Sequence, residues 1–576
     1  MKLIIRDYLA SLKEREELDA ILPDLLSEIG FTVYSRPGRG TTQYGVDVAA
    51  VGEDEDGERK VFLFSVKQGD LTRRDWNATE QSLKQSFDDI RYVYIPTRIP
   101  KRYENLKIVI CACFGGDVQE QVRPMLTGYI DAHTTDRVSF AEWNGDKLAG
   151  LVLQGILREE ILPRPLRSRF QKAVAMVDEP DVSFAHFVGL VTQLRESTGG
   201  TQKLKVRVAR QIYICLWILF VWARDAGNLE SPYRASETAL LNVWELARGF
   251  VGKKNKNSRA ITSVFHALIR VHIMIVESLL VRKILPHVGK RNALSMGVES
   301  RSSVDVNLKL FDVLGRIAML GLWLNWFGQQ LENGEEAERH AKVREIAEGG
   351  FKLIQNNPTL LLPRCDHQAI DIALFLCFAS SIEGCEADIS GWLQELTTRL
   401  ALAIRTHGKY PCVFGDYRDL VDHPRERSDE YRSEATSGST LIPLVAAWLS
   451  ALGDSNSLET ISELTRTELS HCTLQLWLVD EVTEEKLYVG EHGHGVALCD
   501  LAISNSGKEL LDTVSEACRA KESFSKLSPV RTGYWPIVLL ACRHYRHPIP
   551  PQFWINVLRP LADDGEDLSS EISPQP

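Results

Sequence analysis

Apolar residues at Leu18, Ile21, Leu22, Leu25, Leu26 and Ile29 recur at the spacing of one helical face, so a helix is predicted from about Leu12 to Ile29. Gly30 ends it, and Pro23 inside it is a point of kinking. FTVYS (31–35) then reads as a short strand and RPGRGTTQ (36–43) as a loop rich in Gly and Arg. Residues 44–69 hold two apolar runs around an acidic turn, which is a hairpin pattern. A polar helix is expected over about Asn77–Asp89. LKIVICACF (106–114) is a continuous apolar run, as in a strand covered on both faces. A helix near Val118–Ala132, the strand RVSFAEW (137–143), the turn NGD and a closing helix KLAGLVLQGIL (147–157) complete the series. The order is helix, three strands, helix, strand, helix, strand, helix. It predicts a compact α/β domain with a mixed sheet over residues 1–155.

Beyond it the pattern turns almost wholly helical. Residues 156–170, which contain PRPLRSR (163–169), read as a linker because prolines interrupt the helix pattern and the charge is solvated. Helices are expected at about 205–226, 236–251, 260–285, 305–332, 337–356, 368–382, 390–406 and 440–452. No fixed repeat period is visible, so the region is read as an irregular helical array, divided into helical domains at 171–345 and 346–561. Residues 252–259 and 415–440 read as exposed loops, 470–500 as holding a short hairpin, and 562–576 as a disordered tail. The expected fold class is therefore multidomain: an N-terminal α/β domain followed by a large, mostly α-helical region.

Composition narrows the function classes. Of 576 residues 44% are hydrophobic and 25% charged, as in a globular protein, and the net charge is −10. Nucleic-acid binding would then depend on a local basic surface and not on the field of the whole molecule. The eleven cysteines are scattered and the N-terminus turns charged before an apolar core forms, so a reducing cytoplasm is the expected location. The most apolar stretch, Ile212–Ala223, runs 12 residues where a membrane span needs about 20. It reads as a buried core helix, with no membrane partner. No G-x-x-x-x-G-K-[ST] segment occurs, so any ATP-driven step would belong to a partner protein supplying ATPase or sensor function.

The hairpin carries the candidate chemistry. A turn centred on Asp56 sets Asp47 opposite Ser65, with Lys67 two positions along on the same face. Val46, Val48, Phe64 and Val66 are then expected to point into the core. A carboxylate and an amine on one sheet face suit phosphodiester hydrolysis. The carboxylate holds Mg²⁺ together with phosphate oxygens and waters, and the amine orients a water or the scissile oxygen.

Gly45, Asp47, the acidic turn and SVKQG, preceded by a Glu-bearing helix and by GFTVYSRPGRGT, resemble the PD-(D/E)XK nuclease superfamily, most closely its Mrr-like restriction endonuclease branch. The resemblance covers roughly residues 1–155. It implies a restriction-endonuclease-like fold in which Asp47 binds metal, Lys67 is the catalytic lysine and Ser65 stands at the (D/E/Q) position. Glu17 would be the helical glutamate and second metal ligand, with Glu14 and Glu16 as alternatives, and the backbone carbonyl of residue 66 would assist. Mg²⁺ or Mn²⁺ is the implied cofactor, DNA the substrate with RNA as the alternative, a homodimer the assembly, and prokaryotic restriction or anti-phage defence the setting. Serine is a poor Mg²⁺ ligand beside a carboxylate. This leaves a second reading, a nuclease-like module that binds nucleic acid without cutting it.

Other residues have weaker claims. Arg36, Arg39, Arg73, Arg74, Lys101 and Arg102 flank the site in loops and would meet phosphates by charge; each taken singly is ordinary surface. Trp76 fits base stacking, though a core aromatic is the commoner case. The R-x4-H spacings Arg418/His423 and Arg282/His287 are at the level of chance. EHGHG (491–495) reads as a loop before a metal site. Cys365, His367, Cys377 and Cys385 lack zinc spacing.

Overall fold

A computed structural model of the chain describes residues 6, 9, 18–36, 43–54, 56–78, 82–155, 164–199, 201–328, 336–406, 408–423, 425, 428–499 and 501–562. It divides into two units, Met1–Ala239 and Leu240–Pro576.

The first unit opens with helix α1 (Asp19–Glu28), which runs on with Pro23 inside it. Strands β1 (Thr32–Ser35), β2 (Val48–Glu53), β3 (Arg59–Lys67), β4 (Ile108–Phe114) and β5 (Val138–Trp143) form one sheet in the order β1-β2-β3-β4-β5. β1, β2 and β3 pair antiparallel, and β3, β4 and β5 pair parallel, so the sheet is mixed. The single polar helix expected at 77–89 is two: α2 (Arg73–Asn77), closed by a Thr72–Asp75 capping box, and α3 (Leu83–Asp89), which continues as a π turn over Ile90–Tyr94. Helices α4 (Arg123–His133) and α5 (Gly145–Gly155) follow β4 and β5.

Both faces of the sheet are covered. On one, Ala49, Val51, Val61, Leu63, Ile108, Ile110, Ala112 and Phe114 pack with Trp76, Phe87, Ile90, Leu126 and Tyr129. On the other, Phe31 meets Phe62 and Trp143 meets Phe64, each pair 4.9 Å between ring centres and edge to face. Burial on two sides explains why β4 is apolar at every position.

Residues 164–170, expected as linker, begin a helix instead. Helix α6 (Arg164–Ala175) buries Leu166, Phe170, Ala173 and Val174, and packs on α7 (Pro180–Glu196), where the Ser183 hydroxyl donates to the Ala173 carbonyl at 2.7 Å. Pro165 sits at the second helical position, where no intrahelical N–H is needed. Helix α8 (Gln202–Asp225) contains the apolar run 212–223.

In the second unit, helix α9 (Ser303–Gly328) lies against α10 (Ala369–Ala379) and against the helix Glu336–Asn356. Its partner α10 lies beyond residue 345. The loops expected at 252–259 and 415–440 contain the start of the helix Lys256–Leu279, and the helices Tyr417–Asp422 and α11 (Asp429–Ala435). Within 470–500, Leu476–Leu478 pairs antiparallel with Val496–Leu498. Residues 563–576 of the expected tail lie outside the described residues. Three helices, Gln202–Asp225, Lys256–His287 and Ser303–Gly328, are long and apolar enough to cross a membrane by length and composition, with 83%, 50% and 78% of their apolar windows buried in the protein.

Charge is also buried here. Asp371, 1% exposed, faces Arg546 at 3.0 Å and Arg543 at 3.8 Å. Burial raises its carboxyl pKa against the pull of those guanidiniums. A glycine makes the contact between α9 and α10 close: a β-carbon at Gly321 would stand 2.0 Å from the Phe378 ring. Alanine normally favours a helix over glycine by about 1 kcal/mol. Gly321→Ala is expected instead to destabilise the protein by about 1–3 kcal/mol through overpacking, read from the urea unfolding midpoint.

Candidate functional site

The position of the site follows from one pairing. β2 meets β3 with Val48 opposite Phe64 and Val51 opposite Val61, the register that a turn centred on Asp56 requires. β3 continues to Lys67, with Ser65 beside Ala112 and Lys67 beside Phe114 on β4. By strand alternation Ser65 and Lys67 share the face of Val61 and Leu63. Asp47 stands one residue before β2, outside the paired ladder.

The chain reaches Asp47 through a tight turn. Val46 N–H donates to the Gln43 carbonyl at 3.1 Å, and both central residues are left-handed, Tyr44 at φ 50° and Gly45 at φ 79°. This is the type I′ geometry that glycine favours. Gly45 also lies against the backbone of α3, where a β-carbon would stand 2.3 Å from the Ser86 carbonyl oxygen. Because the ladder starts only at Val48, Val46 is not on the face of Val48 as expected. It packs into the cluster of Ala49 and Val51.

Asp47 is half-buried and tied to β3. Its N–H donates to the Phe64 carbonyl at 2.9 Å, and its Oδ2 accepts from the Val66 N–H at 2.7 Å. The carboxylate thus satisfies a strand N–H that β2 ends too soon to reach. Its charge also acts on Cys113 of β4, whose thiol pKa is pushed up first by burial and then by Asp47. Ser65 is 1% exposed and its hydroxyl has no hydrogen-bond partner among the described residues; Lys67 is 6% exposed. A buried hydroxyl with nothing to bond is costly. Gln68 is exposed, off the shared face.

Glu17, with Glu14 and Glu16, and Arg39 lie outside the described residues. Among the described residues no three or more His, Cys, Asp or Glu side chains gather as a metal cage. One carboxylate and one hydroxyl fit a hard divalent cation only if waters and substrate phosphates supply the other ligands, which is the usual state of Mg²⁺.

The basic residues divide. Arg36 pairs with the buried Asp24 of α1 at 3.3 Å, so its charge serves the fold. Arg73 and Arg74 are exposed in the first turn of α2, six and seven residues past the end of β3 in sequence. Lys101 and Arg102 are exposed, with Arg102 lying 4.6 Å from the centre of the Tyr103 ring. Trp76 is 3% exposed and packs edge to face on Phe87 and Tyr129, so it has no face open for a base.

Sequence reasoning missed the seam beyond Lys67. Gly116 N–H donates to the Gly69 carbonyl, Leu71 N–H to the Asp117 carbonyl and Asp117 N–H to the Asp70 carboxylate, each at 2.9 Å. The loops after β3 and β4 are thereby joined at the carboxyl ends of parallel strands, where open α/β sheets bind ligands. The adjacent glycines Gly115 and Gly116 were the available signal.

Two motifs of the second unit are also placed. His423 is 3% exposed between Tyr410 and Tyr431, its ring nitrogens at 3.2 Å from the Tyr410 carbonyl and 3.3 Å from the Tyr431 hydroxyl, a packed core histidine. In EHGHG, His494 comes within 4.8 Å of His547 and His492 within 5.9 Å of it, between ring centres.

The turn and the ladder contact give separable outcomes. Gly45→Ala is expected to destabilise by at least about 2 kcal/mol, through a strained φ and the clash with Ser86. Asp47→Asn keeps an acceptor for Val66 N–H and is expected to change stability little, whereas Asp47→Ala costs about 1–3 kcal/mol by leaving that N–H unmet. Urea unfolding of the full chain measures all three.

The imidazole cluster predicts a pH dependence. Burial, then His494 and His492, lower His547 from 6.5 to about 4. Between those values the unfolded chain binds the proton more readily, so stability falls as pH drops from 6.5 towards 4. The fall in unfolding midpoint between pH 7 and pH 4.5 is expected to be smaller in His547→Gln.

No protein-family model, no curated protein and no solved structure matches this chain.

Proposed function

We propose that the α/β region is a metal-dependent endonuclease that hydrolyses phosphodiester bonds in DNA, a PD-(D/E)XK domain of Mrr-like type. The observation that supports the reading is the approach of Asp47 to β3, where its N–H donates to the Phe64 carbonyl and its carboxylate accepts from the N–H of Val66, the residue between Ser65 and Lys67. Bound Mg²⁺ or Mn²⁺ would activate a water and offset charge on the scissile phosphate. In this reading the Asp47 carboxylate holds the cation, and Ser65 donates its hydroxyl to a phosphate oxygen or bound water. The Lys67 amine orients the attacking water, in a site whose apolar walls strengthen each charge contact. Glu17 completes the acid set, and Arg73 and Arg74 receive the phosphates on either side of the cut. The helical remainder senses substrate, trigger or partner in prokaryotic restriction or anti-phage defence. The enzyme is cytoplasmic, pairs as a homodimer to cut two strands, and draws any ATP-driven step from a partner protein.

A second reading is favoured by Ser65 and by the bond from Val66 N–H to Asp47: a nuclease-like module too weak in metal to cut, which binds nucleic acid or scaffolds a defence complex. Supercoiled plasmid incubated with protein and Mg²⁺ or Mn²⁺ distinguishes them. Nicking that drops by about 10²-fold or more in both Asp47→Ala and Lys67→Ala is the expected result; nicking unchanged in both variants rejects the enzyme. Activity that appears only in Ser65→Glu selects the second reading.

A further inference from the structure

A guanidinium in the second unit lacks a counter-charge among the described residues. Arg364 is half-buried, and its Nε and Nη1 are shut off from solvent with no hydrogen-bond partner among those residues. Its backbone is held in place: its N–H donates to the Gln368 Oε1 at 2.6 Å, and its carbonyl accepts from the Cys412 N–H at 3.3 Å, where Cys365 and Cys412 form a parallel bridge. That pairing brings the chain 409–412 alongside. Lys409, also half-buried, bonds a neutral group, its Nζ donating to the Ser303 hydroxyl at 3.0 Å.

No carboxylate among the described residues pairs with either cation. Those close in sequence are turned elsewhere. Asp366 accepts from the hydroxyls of Ser439 and Thr440 and from the N–H groups of Thr440 and Leu441. Asp305 accepts from the N–H groups of Arg301 and Ser302, Asp416 caps the helix Tyr417–Asp422, and Asp419 is exposed. The third basic group, His423, is neutral: its Nε2 donates to the Tyr410 carbonyl and its Nδ1 accepts from the Tyr431 hydroxyl. Burial lowers its pKa, and the charges of Arg364 and Lys409 lower it further. Burial also lowers Arg364, to about 10, so it keeps its charge at neutral pH. A charge taken out of water is costly unless an opposite charge meets it. A guanidinium fork beside an ammonium is an arrangement for a dianionic oxyanion, the fork supplying directed N–H donors and the ammonium a second charge.

We propose that Arg364 and Lys409 bind a phosphate group, free or as the monoester of a small molecule, with the Arg364 fork directing the hydrogen bonds. The site is independent of the nuclease reading: it lies wholly within the second unit and uses none of that reading's residues. The test is isothermal titration of the full chain, in metal-free buffer at constant ionic strength, with inorganic phosphate, methyl phosphate and acetate. Saturable binding of at least one of the two phosphates is expected, tighter than that of acetate, and the tighter of the two tells free anion from monoester. Affinity is expected to fall about tenfold or more in Arg364→Met and in Lys409→Met, each of which keeps an apolar stem and removes the charge. With no anion present, Arg364→Met is expected to unfold no earlier than the parent, because the guanidinium nitrogens it removes were unmet. Added phosphate is expected to raise the unfolding midpoint of the parent and not that of Arg364→Met. Binding of neither phosphate, binding no tighter than that of acetate, or binding unchanged in either variant overturns the proposal.

Discussion

The α/β region depends on how β3 is paired. Among the described strands of its sheet it alone is bonded antiparallel on one side, to β2, and parallel on the other, to β4. The antiparallel side brings Asp47 back to the end where β3 finishes, and the parallel side puts the carboxyl ends of β3 and β4 together there. A slip of one residue would move Ser65 and Lys67 to the opposite face and bury Phe62 and Phe64 against the wrong helices. Apolar matching on both faces therefore holds the polar residues in place. Asp47 itself contributes, since its carboxylate completes the ladder at Val66.

That dual use explains the chemical tension at the site. A carboxylate that serves a strand N–H retains acceptor capacity for a cation but is no longer wholly free to move towards one. Ser65 adds a hydroxyl where a second charge would strengthen metal binding. The arrangement suits a cation shared with substrate more than one held by the protein alone.

Element order, the strands and the hairpin register were legible because each rests on local signals: alternation in VAAV and VFLF, the acidic turn and Gly57 after Asp56. The long helices of the second unit were equally plain, from apolar runs bounded by polar loops. Boundaries that depend on packing were not. PRPLRSR reads as a linker by its prolines and charge, but Leu166 and Phe170 within and beside it fall on one helical face that α7 covers. The packing of α9 on α10, across residue 345, was likewise not legible. Val46 defied alternation because its turn precedes the ladder.

The sequence by itself determined the α/β-then-helical plan and the pairing of the β2–β3 hairpin, since periodicity and turn chemistry act over a few residues. Tertiary structure alone decided which polar groups are committed. It gave Arg36 to Asp24, Trp76 to the core and the Asp47 carboxylate partly to Val66, and it left the hydroxyl of Ser65 buried with no hydrogen-bond partner among the described residues. The physical reason is that hydrogen bonds and ion pairs are satisfied across the fold, between residues the chain order keeps far apart, and only packing fixes which groups meet.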